Sequence, residues 1–215
     1  MERFIKSFFY FKKQPLSKKF VNAIIIAFVL SSVYFFSGDY FHASTAPFFS
    51  GTIAIVSIIF IMTPYFVYNF STLKKKFNKK YLYFLEFLIA LAVFFNGLGS
   101  IGLYNAGFEY DSMIHVTDSV LVVLVFFSLF AAINEKLFHD YKKTMFVGFA
   151  LIIFLGIAFE FYEYYGDILF GTSMSGQIGQ PLDTQIDVVC DIFGGLAGAY
   201  ILSIKHDELI KIWKK

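Results

Sequence analysis

The sequence predicts an all-α polytopic membrane protein, a six-transmembrane-helix bundle with both termini cytoplasmic. Three observations predict it. Hydrophobic residues make up 58% of the 215, including 31 Phe and 14 Tyr, and the mean hydropathy is +0.66, a membrane composition. The apolar residues fall into six separate runs, each long enough to cross roughly 30 Å of hydrocarbon. The basic residues are confined to four blocks, Arg3 to Lys19, Lys74 to Lys80, Lys136 to Lys143 and Lys205 to Lys215, which together hold all 18 Lys and Arg. By the positive-inside rule all four blocks are cytoplasmic and the alternate connections are external. These patterns place the protein in the cytoplasmic (inner) cell membrane as a multi-pass protein in contact with membrane lipids. The basic blocks are accounted for by topology, so no nucleic-acid partner is expected.

Residues 1–19 mix Phe4, Ile5, Phe8, Phe9 and Phe11 with lysines, suiting either a basic amphipathic segment on an anionic leaflet or a plain basic tail. The membrane domain then covers 20–204, with spans at about 20–37, 47–70, 81–103, 112–133, 144–165 and 183–204, followed by a basic tail, 205–215. The first run exceeds a secretory h-region and reads as an uncleaved span. Pro64 marks a kink near the inner end of span two. Spans one and two contain no ionisable residue, and so read as scaffold. In span three, Glu86 lies a turn or two from Lys79 and Lys80, an expected interfacial ion pair. Its outer end, Asn96-Gly97-Leu98-Gly99-Ser100, is polar and small. Span six includes the Gly194-x-x-x-Gly198 spacing, expected to serve close packing within the bundle. The outer connection from Gly166 to Leu182 suits a lid or an ordinary loop. The lone Cys190 rules out an internal disulfide. His42, His139 and His206 lie outside the spans and read as solvated.

Spans four, five and six each carry acids on one edge. At about 100° per residue, Asp111, His115 and Asp118 fall at about 0, 40 and 340°, Glu160, Glu163 and Asp167 at about 0, 300 and 340°, and Asp183, Asp187 and Asp191 at about 0, 40 and 80°. The alternating topology brings the three edges to the same, outer side. With a rise of about 1.5 Å per residue, Asp191 lies roughly 12 Å below Asp183 and Asp118 roughly 10 Å below Asp111. A charge at that depth costs on the order of 3 kcal/mol and turns toward a protein interior or a watery cavity. Asp111 and Asp183, at helix starts, also fit simple capping. A structural hydrogen-bond network is the competing account of the deeper acids.

No Lys or Arg stands on that side to neutralise these acids, so compensation comes from a bound cation, shared protons or water. The first option gives a divalent metal site, with His115, Glu160, Glu163, Asp183, Asp187 and Asp191 as candidate ligands. Mg²⁺, Mn²⁺ or Ca²⁺ fit so oxygen-rich a set better than Zn²⁺ or iron. His115 and Asp111 are the candidate catalytic residues, with His115 as ligand or base and Asp111 orienting it. A lipid or lipid-linked substrate at the outer leaflet then points to a metal-dependent hydrolase or transferase. The second option is a proton- or cation-coupled transporter, against which stand the almost purely apolar inner halves of spans four and six. A non-catalytic, ion-stabilised scaffold or binding protein is the third.

Tyr110-Asp111-Ser112-Met113-Ile114-His115, then Glu160-Phe161-Tyr162-Glu163 with Gly166, then Leu182-Asp183-Thr184-Gln185-Ile186-Asp187 with Asp191 and Gly194 resemble the ordered motifs of the YjdF-like inner-membrane family. A more distant likeness is to the VanZ-like family, whose Asp-x-x-x-His and Glu-bearing helices follow the same order. The resemblance covers roughly residues 80 to 204 and implies the six-span bundle and the importance of these side chains without supplying a reaction. Ser112 departs from the family, where a basic residue commonly follows the first Asp. The VanZ-like association with glycopeptide resistance implies chemistry facing the cell envelope.

Overall fold

A computed structural model of the protein describes residues 14–36, 47–100, 103–105, 109–133, 140–171 and 182–214. The chain forms α1 (Leu16–Phe36), α2 (Pro47–Phe70), short α3 (Leu73–Lys76), α4 (Lys79–Ser100), a 3₁₀ turn (Leu103–Asn105), α5 (Tyr110–Ile133), α6 (Tyr141–Phe170) and α7 (Asp183–Trp213). All but α3 and the 3₁₀ turn are long and apolar enough to cross a membrane, giving six spanning candidates. No strand occurs among the described residues. Helices of this length satisfy their own backbone hydrogen bonds, which lipid cannot do for them. Leu30, Phe60, Phe154, Phe193 and many other large apolar side chains are exposed on the outer faces. Water would not tolerate so extensive an apolar surface, whereas acyl chains match it.

Two helix groups make up the bundle. In the first, α1, α2 and α4 pack around Val21, Ile24, Ile25, Ile61 and Ala90, with Phe20 set against Phe87 and Phe94 at ring-centroid distances of 5.6 and 5.8 Å. In the second, α5, α6 and α7 enclose Val123, Phe127, Ile152, Ala199 and Leu202. The α4–α5 contact joins the groups, and there the Tyr81 hydroxyl donates to the Ser128 carbonyl at 3.0 Å. Close approach of α7 to α5 depends on missing side chains. A Cβ on Gly194 would run into the Val116 carbonyl, and one on Gly198 would lie 3.0 Å from the Val120 carbonyl. The Gly-x-x-x-Gly spacing therefore serves packing inside the bundle, as expected.

Both ends of the bundle can be followed through α7. Its last turn docks on the α3–α4 junction. Trp213 is buried beside Tyr81 and Phe84 at centroid distances of 5.3 and 5.0 Å, and Asn78 donates from its backbone to Trp213 O and from its amide to Ile212 O and Lys214 O. Lysines 74–80 and 211–214 share this end. Its buried charge is paired differently from expectation: Glu86 accepts from Lys18 Nζ at 2.7 Å, while Lys79 and Lys80 are exposed. The reason is geometric. Lys79 lies two helical turns, about 10 Å, from Glu86 along α4 and Lys80 faces another way, whereas α1 starts at Leu16 and presents Lys18 sideways from its first turn. Helix α2 runs unbroken through Pro64. Helix α6 outlasts its predicted span and stops at Gly171, which takes φ 65° and donates to Asp167 O, a left-handed cap that favours glycine. The segment 172–181 of the suggested lid lies outside the described residues, as do 1–13, His42 and His139.

Candidate functional site

The other end of α7 meets α5 and α6 in a cluster of acids. The helical spacing brings Asp111 and His115 of α5 and Asp187 of α7 together, so that one ligand atom from each lies within 4.8 Å of the others. His115 is 5% exposed and Asp187 1%. The imidazole Nε2 stands 3.9 Å from Asp111 Oδ1 and 3.9 Å from Asp187 Oδ2. Its other nitrogen, Nδ1, is 3.2 Å from Asp191 Oδ1, and the same oxygen accepts from the Ser119 hydroxyl at 2.7 Å. Asp191 is thus held from below, one turn deeper than Asp187.

Around this trio stand the remaining predicted acids. Glu163, on α6, is buried and close enough to Asp111, Glu160, His115 and Asp187 to feel their charges. Glu160 accepts from Thr184, yet its Oε1 is buried without a hydrogen-bond partner among the described residues. Asp183 sits half-buried at the rim near Asp111, and Glu109 adds a further negative charge there. The structure therefore gathers Asp111, His115, Glu160, Glu163, Asp183, Asp187 and Asp191 at one end of the bundle. It joins only Asp111, His115 and Asp187 into a compact ligand set among the described residues.

Three partners were not among the sequence's candidate site residues. Asn96 of α4 donates to Asp118 Oδ2 and to Ala92 O at 3.1 Å, bringing the scaffold group to the site's edge. Tyr104, on the 3₁₀ turn, donates to Asn96 Oδ1 at 3.4 Å. Burial, followed by the nearby Asp111, Asp118 and Glu163 charges, raises the Tyr104 phenol above its ordinary pKa, so it stays protonated. Ser119 has a legible signal, its four-residue spacing from His115 on the same face of α5. Tyr104 has none, because a short turn between helices fixes where it points.

The electrostatic state of this end follows from an inventory. Alongside one imidazole this end carries eight carboxylates, Glu109 included, and the segments 81–135 and 144–204 contain no Lys or Arg. Ionised carboxylates only accept hydrogen bonds, and Asp187 Oδ1, Asp118 Oδ1 and Glu160 Oε1 are buried with no partner among the described residues. A buried, unsatisfied acceptor of this kind is costly. Positive charge at short range is what would offset these acids, and the ligand atoms of Asp111, His115 and Asp187, within 4.8 Å of one another, form a group that could hold an ion.

Six apolar helices with a cluster of acids at one end define a multi-pass membrane protein. Residues 18–208 match the family described as Predicted membrane protein (DUF2238), and the chain belongs to it; this is the family that the YjdF-like motifs indicate. No curated protein and no solved structure matches the chain. The VanZ-like likeness is not carried by the family match.

Proposed function

We propose that the trio Asp111, His115 and Asp187 holds a divalent cation, and that the protein is a metal-dependent hydrolase or transferase of a lipid or lipid-linked substrate. The observation that carries this reading is Asp187: a carboxylate 1% exposed, inside an apolar bundle, with Oδ1 unpartnered among the described residues and Oδ2 3.9 Å from His115 Nε2. A divalent ion bound there supplies Lewis acidity and an activated water at neutral pH. Glu163, buried beside the trio, is placed to take up or return a proton, and Tyr104 keeps its phenolic proton at the edge toward α4. Glu160 and Asp183 line the approach. The one-sidedness of the site favours an enzyme over a transporter. Toward the lysine end, the space between α5, α6 and α7 is filled by Val123, Phe127, Ile152, Ala199 and Leu202, which offer a migrating ion no ligand. The lysine clusters and the acid cluster occupy opposite ends, so the positive-inside rule sets both termini in the cytoplasm of a cytoplasmic-membrane protein and the acids at the outer leaflet.

Elemental analysis of the detergent-purified protein tests the reading. Wild type is expected to carry one divalent ion per chain and Asp187→Asn less than about a tenth of that, since loss of a ligand removes most of the binding free energy. Glu163→Gln keeps the ion but loses metal-dependent turnover of lipids in proteoliposomes, followed by mass spectrometry. Sub-stoichiometric metal in the wild type that Asp187→Asn does not lower overturns the proposal.

A further inference from the structure

Asp191 has the same spacing on α7 as Asp183 and Asp187, but its surroundings differ. Its Oδ1 already faces two groups, the Ser119 hydroxyl at 2.7 Å and His115 Nδ1 at 3.2 Å. Its Oδ2 lies against α6 where Gly156 leaves room, since a Cβ on Gly156 would stand 2.5 Å from that oxygen. The carboxylate is 6% exposed and fixed by three helices at once: α7 carries it, α5 bonds it and α6 makes space for it. A carboxylate oxygen accepts, so Nδ1 must carry the proton of that contact. In the neutral imidazole the lone pair is then on Nε2, the nitrogen that faces Asp111 and Asp187.

We propose that Asp191 is a positioning residue rather than a ligand. It presents His115 Nε2 to the trio, and this makes the site select a divalent ion that accepts imidazole nitrogen as well as carboxylate oxygen, Mn²⁺, over Mg²⁺ and Ca²⁺. The inference rests on the cation reading of the same trio. Its physical basis is the difference in ligand preference. Mg²⁺ and Ca²⁺ are served by oxygen donors, imidazole suits the later transition ions, and Mn²⁺ is at home with carboxylates while still taking nitrogen. A carboxylate behind a ligating histidine fixes the ring and raises its basicity. Ser119, by holding the carboxylate, works one step further back.

The test is a Mn²⁺ titration of the detergent-purified full chain followed by electron paramagnetic resonance, with Mg²⁺ and Ca²⁺ as competitors. Asp191→Asn is expected to bind still one Mn²⁺ per chain but about 10–100-fold more weakly, the usual loss when such a supporting partner is removed. Removing a charge weakens all three ions alike, so the ratio is the discriminating readout: the Mn²⁺ preference over Mg²⁺ and Ca²⁺ should shrink by about tenfold. Ser119→Ala leaves the charge count and the helix intact and is expected to move the same ratio in the same direction by a few-fold. Two results overturn the inference while sparing the cation site: affinities that fall together with an unchanged ratio in both variants, or an Asp191→Asn protein that loses stoichiometric binding as Asp187→Asn does. Wild-type protein that binds no Mn²⁺, Mg²⁺ or Ca²⁺ overturns the cation site and this inference together.

Discussion

Helix α7 ends in two opposite ways. At its C-terminal end the polar groups have partners and the apolar ones have neighbours. Asn78 engages three backbone carbonyls of residues 212–214, the Tyr68 hydroxyl donates to Phe77 O at 2.8 Å, and Trp213 is sunk among aromatic rings. At its N-terminal end, acids crowd together and oxygens of Asp187, Asp118 and Glu160 find no partner among the described residues. The first end is what selection for stability alone produces. The second is frustrated in the same way that binding sites are, carrying charge that the chain itself does not satisfy. A single helix thus anchors the bundle at one end and carries its acid cluster at the other, and changes at the two ends should have opposite signatures.

The largest effect belongs to the anchored end. Trp213→Ala deletes a side chain 3% exposed and leaves a void between Tyr81, Phe84 and the C-terminal turn. Such truncations cost about 3–5 kcal/mol, read as a lowered unfolding temperature in detergent. Cation affinity of the folded fraction should be unchanged, because the site lies at the far end of α7. A variant that loses affinity while keeping its thermal stability would break the division of labour between the ends.

Next comes the buried ion pair. Glu86→Leu strands the Lys18 ammonium, 13% exposed, where its partner carboxylate was 2% exposed. Removing one partner of a buried pair costs about 3 kcal/mol, and the double change Lys18→Met with Glu86→Leu recovers most of that, since an apolar replacement of the whole pair is often neutral. This cycle sharpens the comparison: at the lysine end charge is paired internally, so both halves can be removed together. Equal unfolding temperatures for Glu86→Leu and the double variant would show that the stranded Lys18 ammonium costs nothing.

How much of this was legible in the sequence depends on the range of the interaction. The six spans are written in hydropathy, which acts residue by residue. The acid stripes are written in helical spacing, so Asp111 with His115 and Asp183 with Asp187 and Asp191 could be placed on shared edges before any packing was known. What spacing cannot do is rank members of one stripe. Asp187 and Asp191 look equivalent on α7, and only Ser119 and Gly156, contributed by two other helices, separate an oxygen left open from one already held. The Glu86 pairing fails for a related reason: the lysines near in sequence are displaced along the helix axis, and the true partner lies 68 residues away. Tyr104 depends on a turn whose direction no periodicity encodes.

The smallest and most diagnostic effect is at the acid end itself. Asp187→Asn removes one charge from a cluster of like charges and replaces an acceptor without a partner by an amide able to donate to the acids around it. In metal-free protein this should stabilise by about 1 kcal/mol, raising the unfolding temperature by about 2–4 °C for a chain of this size. Adding a divalent ion should reverse the order, because only the wild-type trio gains stability by binding, and at 100 times the dissociation constant that gain is about 2.7 kcal/mol. The two melting curves therefore cross as the ion is added, which no anchored-end variant should do. If Asp187→Asn instead melts earlier than wild type in the chelator-treated protein, its carboxylate is a structural group, and α7 is anchored at both ends.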